Sequence, residues 1–343
     1  MKDKIDLLNL TLPEIDSFLE SLGLEGYRSS QIKRWIFKEG VTAFDQMSNL
    51  SKKTRSLLEE NLFLSRLKIE KILLSSDGAK KYIFQVDQEN TIESVLIPDK
   101  SRLTLCISTQ AGCSRGCKFC LTGKKGLSRN LTSSEIINQV LEVKRDIGKE
   151  IRISNLVIMG MGEPLDNFEN VKKTVTIMLD REGFDFSSRR ITLSTSGVIP
   201  GIKDLIESGL NINLAVSLNA SSDKKRDVLM PVNRAFPLKE LIVMIKNYPL
   251  EKRSRITFEY ILLGGINDSL EDAENLVRLL KGIKAKINLL NFNPFPGSKF
   301  SLSSPGRVLE FQNFLMSKNL AVNLRKSRGI DILAACGQLG GKG

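Results

Sequence analysis

Between Ala111 and Cys120 the chain reads AGCSRGCKFC, and three of its five cysteines, Cys113, Cys117 and Cys120, stand there in a C-x3-C-x2-C run. The other two are Cys106, just upstream, and Cys336, far downstream. An odd count, tight clustering and an N-terminal stretch (MKDKIDLLNLTLPEID) without the pattern of a secretory signal all argue against a disulfide framework. Thiolates at this density bind iron–sulfur clusters or zinc. A site with four cysteines fills every iron corner with a protein ligand. Three ligands leave one iron open to an exogenous group. Zinc would need Cys106 or Cys336 to complete its tetrahedron, because the chain has no histidine. On spacing alone an open-site cluster, a zinc site and unligated core cysteines are all readings of this run.

The missing histidine excludes more. No Ser-His-Asp or Cys-His machinery and no His-ligated metal can exist here, so acid–base work falls to carboxylates, lysines or thiols. With 51 Lys+Arg against 39 Asp+Glu the formal net charge is +12, which suits a polyanionic partner and speaks first to solubility and encounter rate. No apolar run approaches the roughly 18–20 residues needed to cross a bilayer. A cytoplasmic protein without a membrane partner is expected.

Downstream of the cysteine run the pattern alternates. Thr132-Ser-Ser-Glu135 has capping-box form and opens a helix with Ile136, Ile137, Val140 and Leu141 on its apolar side. Strand-like segments follow at NLVIMGM, ITLSTS, INLAVSL, RITFEYILL and KINLLNF, with helices such as SLEDAENLVRLLKGI between some of them. Alternating β and α predicts a parallel sheet with helices outside. The Gly-rich and polar motifs GMGEP, STSG, SLN and NPFPG all follow strands, where such folds place their sites. About six units rather than eight predict an α/β fold of partial TIM-type (β/α)6 barrel form. Upstream lie three strand-like runs, KKYIFQVD, TIESVLIP and RLTLCIS. Before those, residues 1 to about 70 read as short helices. There Lys/Arg residues cluster from Arg28 to Arg55, interleaved with Trp35 and Phe37: a solvated basic face, or a grip on RNA phosphates. The expected organisation is a helical accessory domain over 1–75, connecting strands over 76–105, and the barrel with a C-terminal loop carrying Cys336 over 106–343.

The C-x3-C-x2-C run with Phe119 resembles the signature of the radical S-adenosylmethionine (SAM) enzymes. Its flanks, CISTQAGCSRGCKFCLTGKKGLSRNLTSSEI, VIMGMGEPLDN, RRITLSTSGVIP, INLLNFNPFPG and RKSRGIDILAACGQL, resemble, in that order, the RNA methyltransferases of the superfamily that act on adenine carbon 2 of 23S rRNA, at the peptidyl transferase centre, and of tRNAs, next to the anticodon. The resemblance implies one 4Fe-4S cluster on Cys113, Cys117 and Cys120, its open iron holding SAM, and two SAM per turnover. It implies SAM contacts at Gly162, Glu163, Ser194, Ser217, Leu218 and Asn293, residues otherwise read as strand-end turns and caps. Asn219 departs from the family, where a His follows Ser-Leu; a neutral hydrogen-bonding role survives the change, a protonation role does not. Cys336, otherwise a small core thiol, becomes the methyl carrier, with Arg325, Lys326 and Arg328 placed to favour its thiolate. Cys106 resolves the RNA adduct through a transient disulfide, and Glu93, otherwise an exposed strand glutamate, is the proton acceptor; which of the two takes the adenine proton stays open. An electron donor such as flavodoxin is implied too, and an enzyme that must reach inside large RNAs is expected to be a monomer. The rivals are a related branch that methylates carbon 8, an iron–sulfur electron carrier, and a zinc-bearing RNA-binding protein.

Overall fold

The computed structural model describes residues 4–148, 150–252 and 254–341. Its first unit is built from local signals. A two-residue strand, β1 (Ile5–Asp6), precedes α1 (Leu12–Ser21), whose N-cap Thr11 and Glu14 exchange side-chain and backbone bonds as a capping box. Helix α2 (Gly26–Lys33) runs into a π-helical turn, Arg34–Glu39, that Gly40 ends at φ +69°. Helix α3 (Lys52–Asn61) leads into β2 (Leu62–Phe63), which pairs parallel with β1. Leu12, Ile15, Leu19, Ile32, Ile36, Phe37 and Leu58 bury the apolar faces of these helices.

Among the described residues the main sheet has ten strands. Four of them, β3 (Lys68–Leu74), β4 (Lys80–Gln85), β5 (Thr91–Asp99) and β6 (Arg102–Ile107), form an antiparallel meander. After β6 a short ribbon, β7 (Gln110–Gly112) with β8 (Leu127–Asn130), brackets the cysteine loop and its helix α4 (Leu121–Lys125). The other edge of β6 pairs parallel with β9 (Asn155–Ile158), and parallel pairing continues through β10 (Ile191–Thr195), β11 (Asn213–Ser217), β12 (Ile256–Leu262), β13 (Ala285–Asn291) and β14 (Ala321–Arg325). Helices α5 (Ser133–Ile147), α6 (Phe168–Leu179), α7 (Ile199–Glu207), α8 (Asp223–Leu229) with α9 (Leu238–Lys246), α10 (Leu270–Leu279) and α11 (Pro305–Ser317) make the crossovers. This is the expected partial (β/α) barrel. The capping box at Thr132 and Glu135 forms as read. Besides the short pairs β1–β2 and β7–β8, two strands of the main sheet escape the sequence reading, β3 and β14. Both are edge strands, mostly exposed along their length, so neither shows the buried apolar run that marks a strand.

Two features of the fold position the site. Helix α5 seats the accessory unit: Lys144 donates to the Phe37 carbonyl, Arg145 to the Gly40 carbonyl, and Glu142 takes both Nε and Nη2 of Arg66 at 3.0 Å. Lys33, one of the cations read as a possible phosphate grip, is instead fully buried and paired with Asp16 and Glu182. The meander has two unlike faces. Tyr82 and Ser94 point at α5, donating to Asp146 and Gln139. Alternation puts Lys81, Glu93, Val95 and Cys106 on the opposite face, with Lys81 opposite Val95 and Val95 opposite Cys106. Among the described residues no helix is long and apolar enough to cross a membrane.

Candidate functional site

A cleft of about 170 Å³ opens at the C-terminal ends of β9 to β12, where parallel-sheet folds expose their turns. Cys113, Cys117, Cys120, Gly162, Glu163, Ser194, Ser217, Asn219 and Cys336 all line it. Residues separated by more than 200 positions in sequence thus share one wall-to-wall space.

The cysteine loop is held from several sides. Cys113 N–H donates to the Gly126 carbonyl at 2.8 Å, and Lys118 N–H to the Leu229 carbonyl at 2.9 Å. Arg115 forks onto Asp166, with Nε at 2.7 Å, and so ties the loop to the PLDN turn. Burial pushes the Cys113 thiol up to about 12 and raises those of Cys117 and Cys120 as well. Only a strongly positive centre would hold three such thiols as thiolates. A single tetrahedral zinc, with Zn–S near 2.3 Å, draws its sulfurs to within about 4 Å of one another. Among the described residues no three Cys, Asp or Glu side chains are arranged to hold one metal ion. Three soft thiols lining one cleft are a donor set that suits an iron–sulfur centre.

The turns beside them are rigid. Gly162 has φ +107°, and a Cβ there would meet Gln110 Cβ at 2.7 Å and its backbone nitrogen at 2.9 Å, so only glycine fits. Glu163 is buried, and its two carboxylate oxygens accept from Leu165 N–H at 3.3 Å and Ser196 N–H at 2.7 Å, linking the ends of β9 and β10. Burial raises its pKa, opposed by the Ser196 backbone bond. The hydroxyls of Ser194 and Ser217, on adjacent strands, stand 3.5 Å apart. Asn219 has φ +54°, a left-handed conformation that Asn tolerates well. Its Oδ1 accepts from Ile261 N–H at 2.9 Å and its Nδ2 approaches Met230 Sδ at 3.4 Å, so both ends of the amide are engaged in a neutral, hydrogen-bonding role. Leu218 and Asn293 do not reach the cleft wall. Leu218 is fully buried, and Asn293 Nδ2 donates to the Cys336 carbonyl at 3.0 Å.

Cys336 rides on a docked segment. Gly337 O accepts from Leu121 N–H at 2.7 Å, and the Leu339 carbonyl from Thr122 Oγ1 at 2.8 Å, so the segment lies on the cysteine loop. Gln338 Nε2 donates to the Pro294 carbonyl at 2.6 Å. Farther back, Asp331 takes Ser75 Oγ at 2.6 Å and Ser76 N–H at 3.0 Å, and Asp77 takes Gly329 N–H at 3.0 Å. The Cys336 side chain is exposed to the cleft, while the protein packed around it, with Glu259 next in effect, pushes the thiol up to about 11. Arg325 pulls in the opposite direction, as its sequence position suggested, but does not prevail. Arg328 acts on Asp77 rather than on the thiol. Cys106 and Glu93 lie outside the cleft wall. Cys106 is buried, its thiol raised by burial and then by the neighbouring Cys336. Glu93 is buried rather than exposed, 3.4 Å from Lys81 Nζ.

Sequence reading missed Arg226 and Glu259. Arg226 is fully buried on α8 and donates to the carbonyls of Ser196 at 2.6 Å, Leu218 at 3.1 Å and Ser217 at 3.3 Å, pinning the two turns together. Glu259 lines the cleft from β12 and accepts from Asn288 at 2.8 Å. An arginine in a short helix and a glutamate in a strand carry no local signal; only the fold turns them inward.

A family model described as the ribosomal RNA large subunit methyltransferase N-terminal domain matches residues 5–64, and that of the radical SAM superfamily matches residues 107–280. The dual-specificity RNA methyltransferase RlmN of Pelobacter propionicus is 48% identical over 100% of this chain and 97% of its own. That of Geobacter sulfurreducens is 48% identical over 100% of this chain and 94% of its own. The crystal structure of a radical SAM methyltransferase from Sphaerobacter thermophilus superposes with a TM-score of 0.93 at 40% identity, over 98% of this chain and 99% of that one.

Proposed function

The chain belongs to the RlmN family of dual-specificity RNA methyltransferases in the radical SAM superfamily, and on that premise we propose that it methylates carbon 2 of adenosine in 23S rRNA, at the peptidyl transferase centre, and in tRNAs, next to the anticodon. The observation that carries this reading is the meeting of Cys336 with Cys113, Cys117 and Cys120 in one cleft. In it, Cys113, Cys117 and Cys120 hold one 4Fe-4S cluster, and Gly162, Glu163, Ser194, Ser217, Leu218, Asn219 and Asn293 build the SAM pocket, two of them from behind its wall. Residues 1–75 act as the RNA-binding accessory domain and 76–105 connect it to the barrel over 106–343. A flavodoxin-type protein donates electrons, and the enzyme works in the cytoplasm as a monomer.

Carbon 2 of adenine is electrophilic and has no acidic proton, so direct transfer of a methyl cation is closed. When bound, the cluster and SAM supply an electron and a carbon-centred radical, the hard chemistry that belongs to the cofactor. Cys336 supplies the rest. Its thiolate takes a methyl group from one SAM to give S-methylcysteine, the covalent step of nucleophilic catalysis. The S-methyl group on Cys336 would give up one hydrogen atom to that radical, the methylene left on the sulfur would bond to carbon 2, and the adduct would then lose one electron, returned to the cofactor, and its ring proton, taken by Glu93 or Cys106. The Cys106 thiolate attacks the Cys336 sulfur, the sulfur–carbon bond breaks, and its electron pair stays on the carbon, which takes a proton to become the methyl group. A Cys106–Cys336 disulfide remains, to be reduced for the next turnover. The target base must leave its stack to reach this recessed cleft.

The test is to incubate the anaerobically reconstituted protein with SAM, a reductant and unmodified rRNA or tRNA, and to identify the nucleosides by mass spectrometry. 2-Methyladenosine is the expected product. 8-Methyladenosine would move the chain to the carbon-8 branch, and no methylated adenosine in the presence of a verified cluster would overturn the reading.

A further inference from the structure

Lys81 is fully buried on β4, on the same face of the meander as Glu93 and Cys106. Its ammonium donates to the Leu333 carbonyl at 3.2 Å and stands 3.4 Å from Glu93 Oε2, a buried oxygen with no hydrogen-bond partner. The other titratable or charged neighbours of Glu93 on this face are Lys125 of α4 and Cys106 of β6. Leu333 and Gly340 are the two ends of the segment that carries Cys336, and Leu333 itself sits at φ +52°, a backbone state unusual for a leucine. We propose that Lys81 is a positioning residue: with Glu93 it forms a buried clasp that grips segment 333–340 at Leu333 and so fixes where Cys336 stands in the cleft.

A buried ion pair adds little net stability, because desolvation offsets the attraction. The effect of this one is geometric. One ammonium is shared between a backbone carbonyl of the segment and a carboxylate of the sheet. The proposal deepens the functional reading by taking Cys336 as the methyl carrier, and its primary readout is independent of RNA chemistry.

The experiment is hydrogen exchange with mass spectrometry on the reconstituted full chain, wild type against Lys81→Met and the double variant Lys81→Met/Glu93→Leu. The double variant leaves no unpaired charge in the apolar interior and so keeps the fold even where the single one is destabilised. Loss of a charged hydrogen bond speeds local opening by about 10- to 100-fold. That acceleration is expected over 333–340 in both variants, with exchange elsewhere and iron content as in wild type. Lys81→Met is further expected to lower kcat with KM for RNA unchanged. Unchanged exchange over 333–340 overturns the clasp, and so does exchange that the double variant restores to wild-type rates. If exchange responds as expected while wild type yields no methyladenosine, the functional reading fails and the clasp stands.

Discussion

Cys113, Cys117 and Cys120 reach the cleft on a loop framed by its own neighbours, the β7–β8 ribbon and the Cys113 to Gly126 bond, whereas Cys336 reaches it on a segment whose anchors at Ser75, Lys81 and Thr122 lie 256, 252 and 217 residues from their partners. The first loop is framed by local sequence and braced from outside by Leu229 and Asp166, whereas the second is held by the finished fold alone. The difference teaches that this site separates two tasks. On the proposed reading, local chain geometry would serve the metal centre and global geometry would deliver the nucleophile.

The largest test of that separation is a pair of variants. Cys117→Ser is expected to abolish both iron–sulfur absorbance and methylation. Cys336→Ala is expected to leave the absorbance and iron content intact while no methyladenosine forms; loss of the cluster in this second variant would break the comparison. Next, Gly162→Ala forces a side chain into a left-handed position against Gln110, and is expected to cost about 2–3 kcal/mol in chemical denaturation. Asp166→Asn removes the carboxylate that takes the Arg115 fork and should cost about 1–2 kcal/mol, with reduced iron retention. Asn293→Ala, on the other loop, removes one neutral bond to the Cys336 carbonyl and should cost about 1 kcal/mol with iron retention unaffected.

The smallest effect lies away from both loops. Bonds from Ser30 and Lys33 hold the Glu182 carboxyl below its ordinary range, and Lys33, lowered by burial, is raised overall by Asp16 and then Glu182. The depressed carboxylate therefore contributes stability above the usual carboxylate range, which is lost as pH falls through its lowered value. Glu182→Gln should show a slightly lower Tm than wild type near neutral pH, and the two curves should converge in acid.

What the sequence made legible follows the same division. The capping box at Thr132 and the alternation of buried strands with amphipathic helices are written in short windows, and both form as read. The edge strands β3 and β14 were not legible, because partial exposure on both faces leaves no period to read. Cys336 could be connected to the cleft only through its resemblance to a family, since nothing within AACGQL distinguishes it from a core thiol. Arg226 was illegible for a further reason. Its work is done by donating to three backbone carbonyls, and carbonyls are the same whatever residues bear them.

The long reach of the segment behind Cys336 also orders the birth of the site in time. Contacts between residues more than 200 positions apart carry a large closure entropy and are slow to form. During refolding the β7–β8 ribbon and its cysteine loop can take shape from neighbouring residues, while segment 329–341 must wait for the β3–β4 hairpin, the end of β13 and the cysteine loop to exist. Pulse-labelled refolding is expected to show its amides gaining protection last. A molecule arrested just before that moment would have a wall ready to receive metal and no thiol ready to receive a methyl group, an inert intermediate rather than a half-active one.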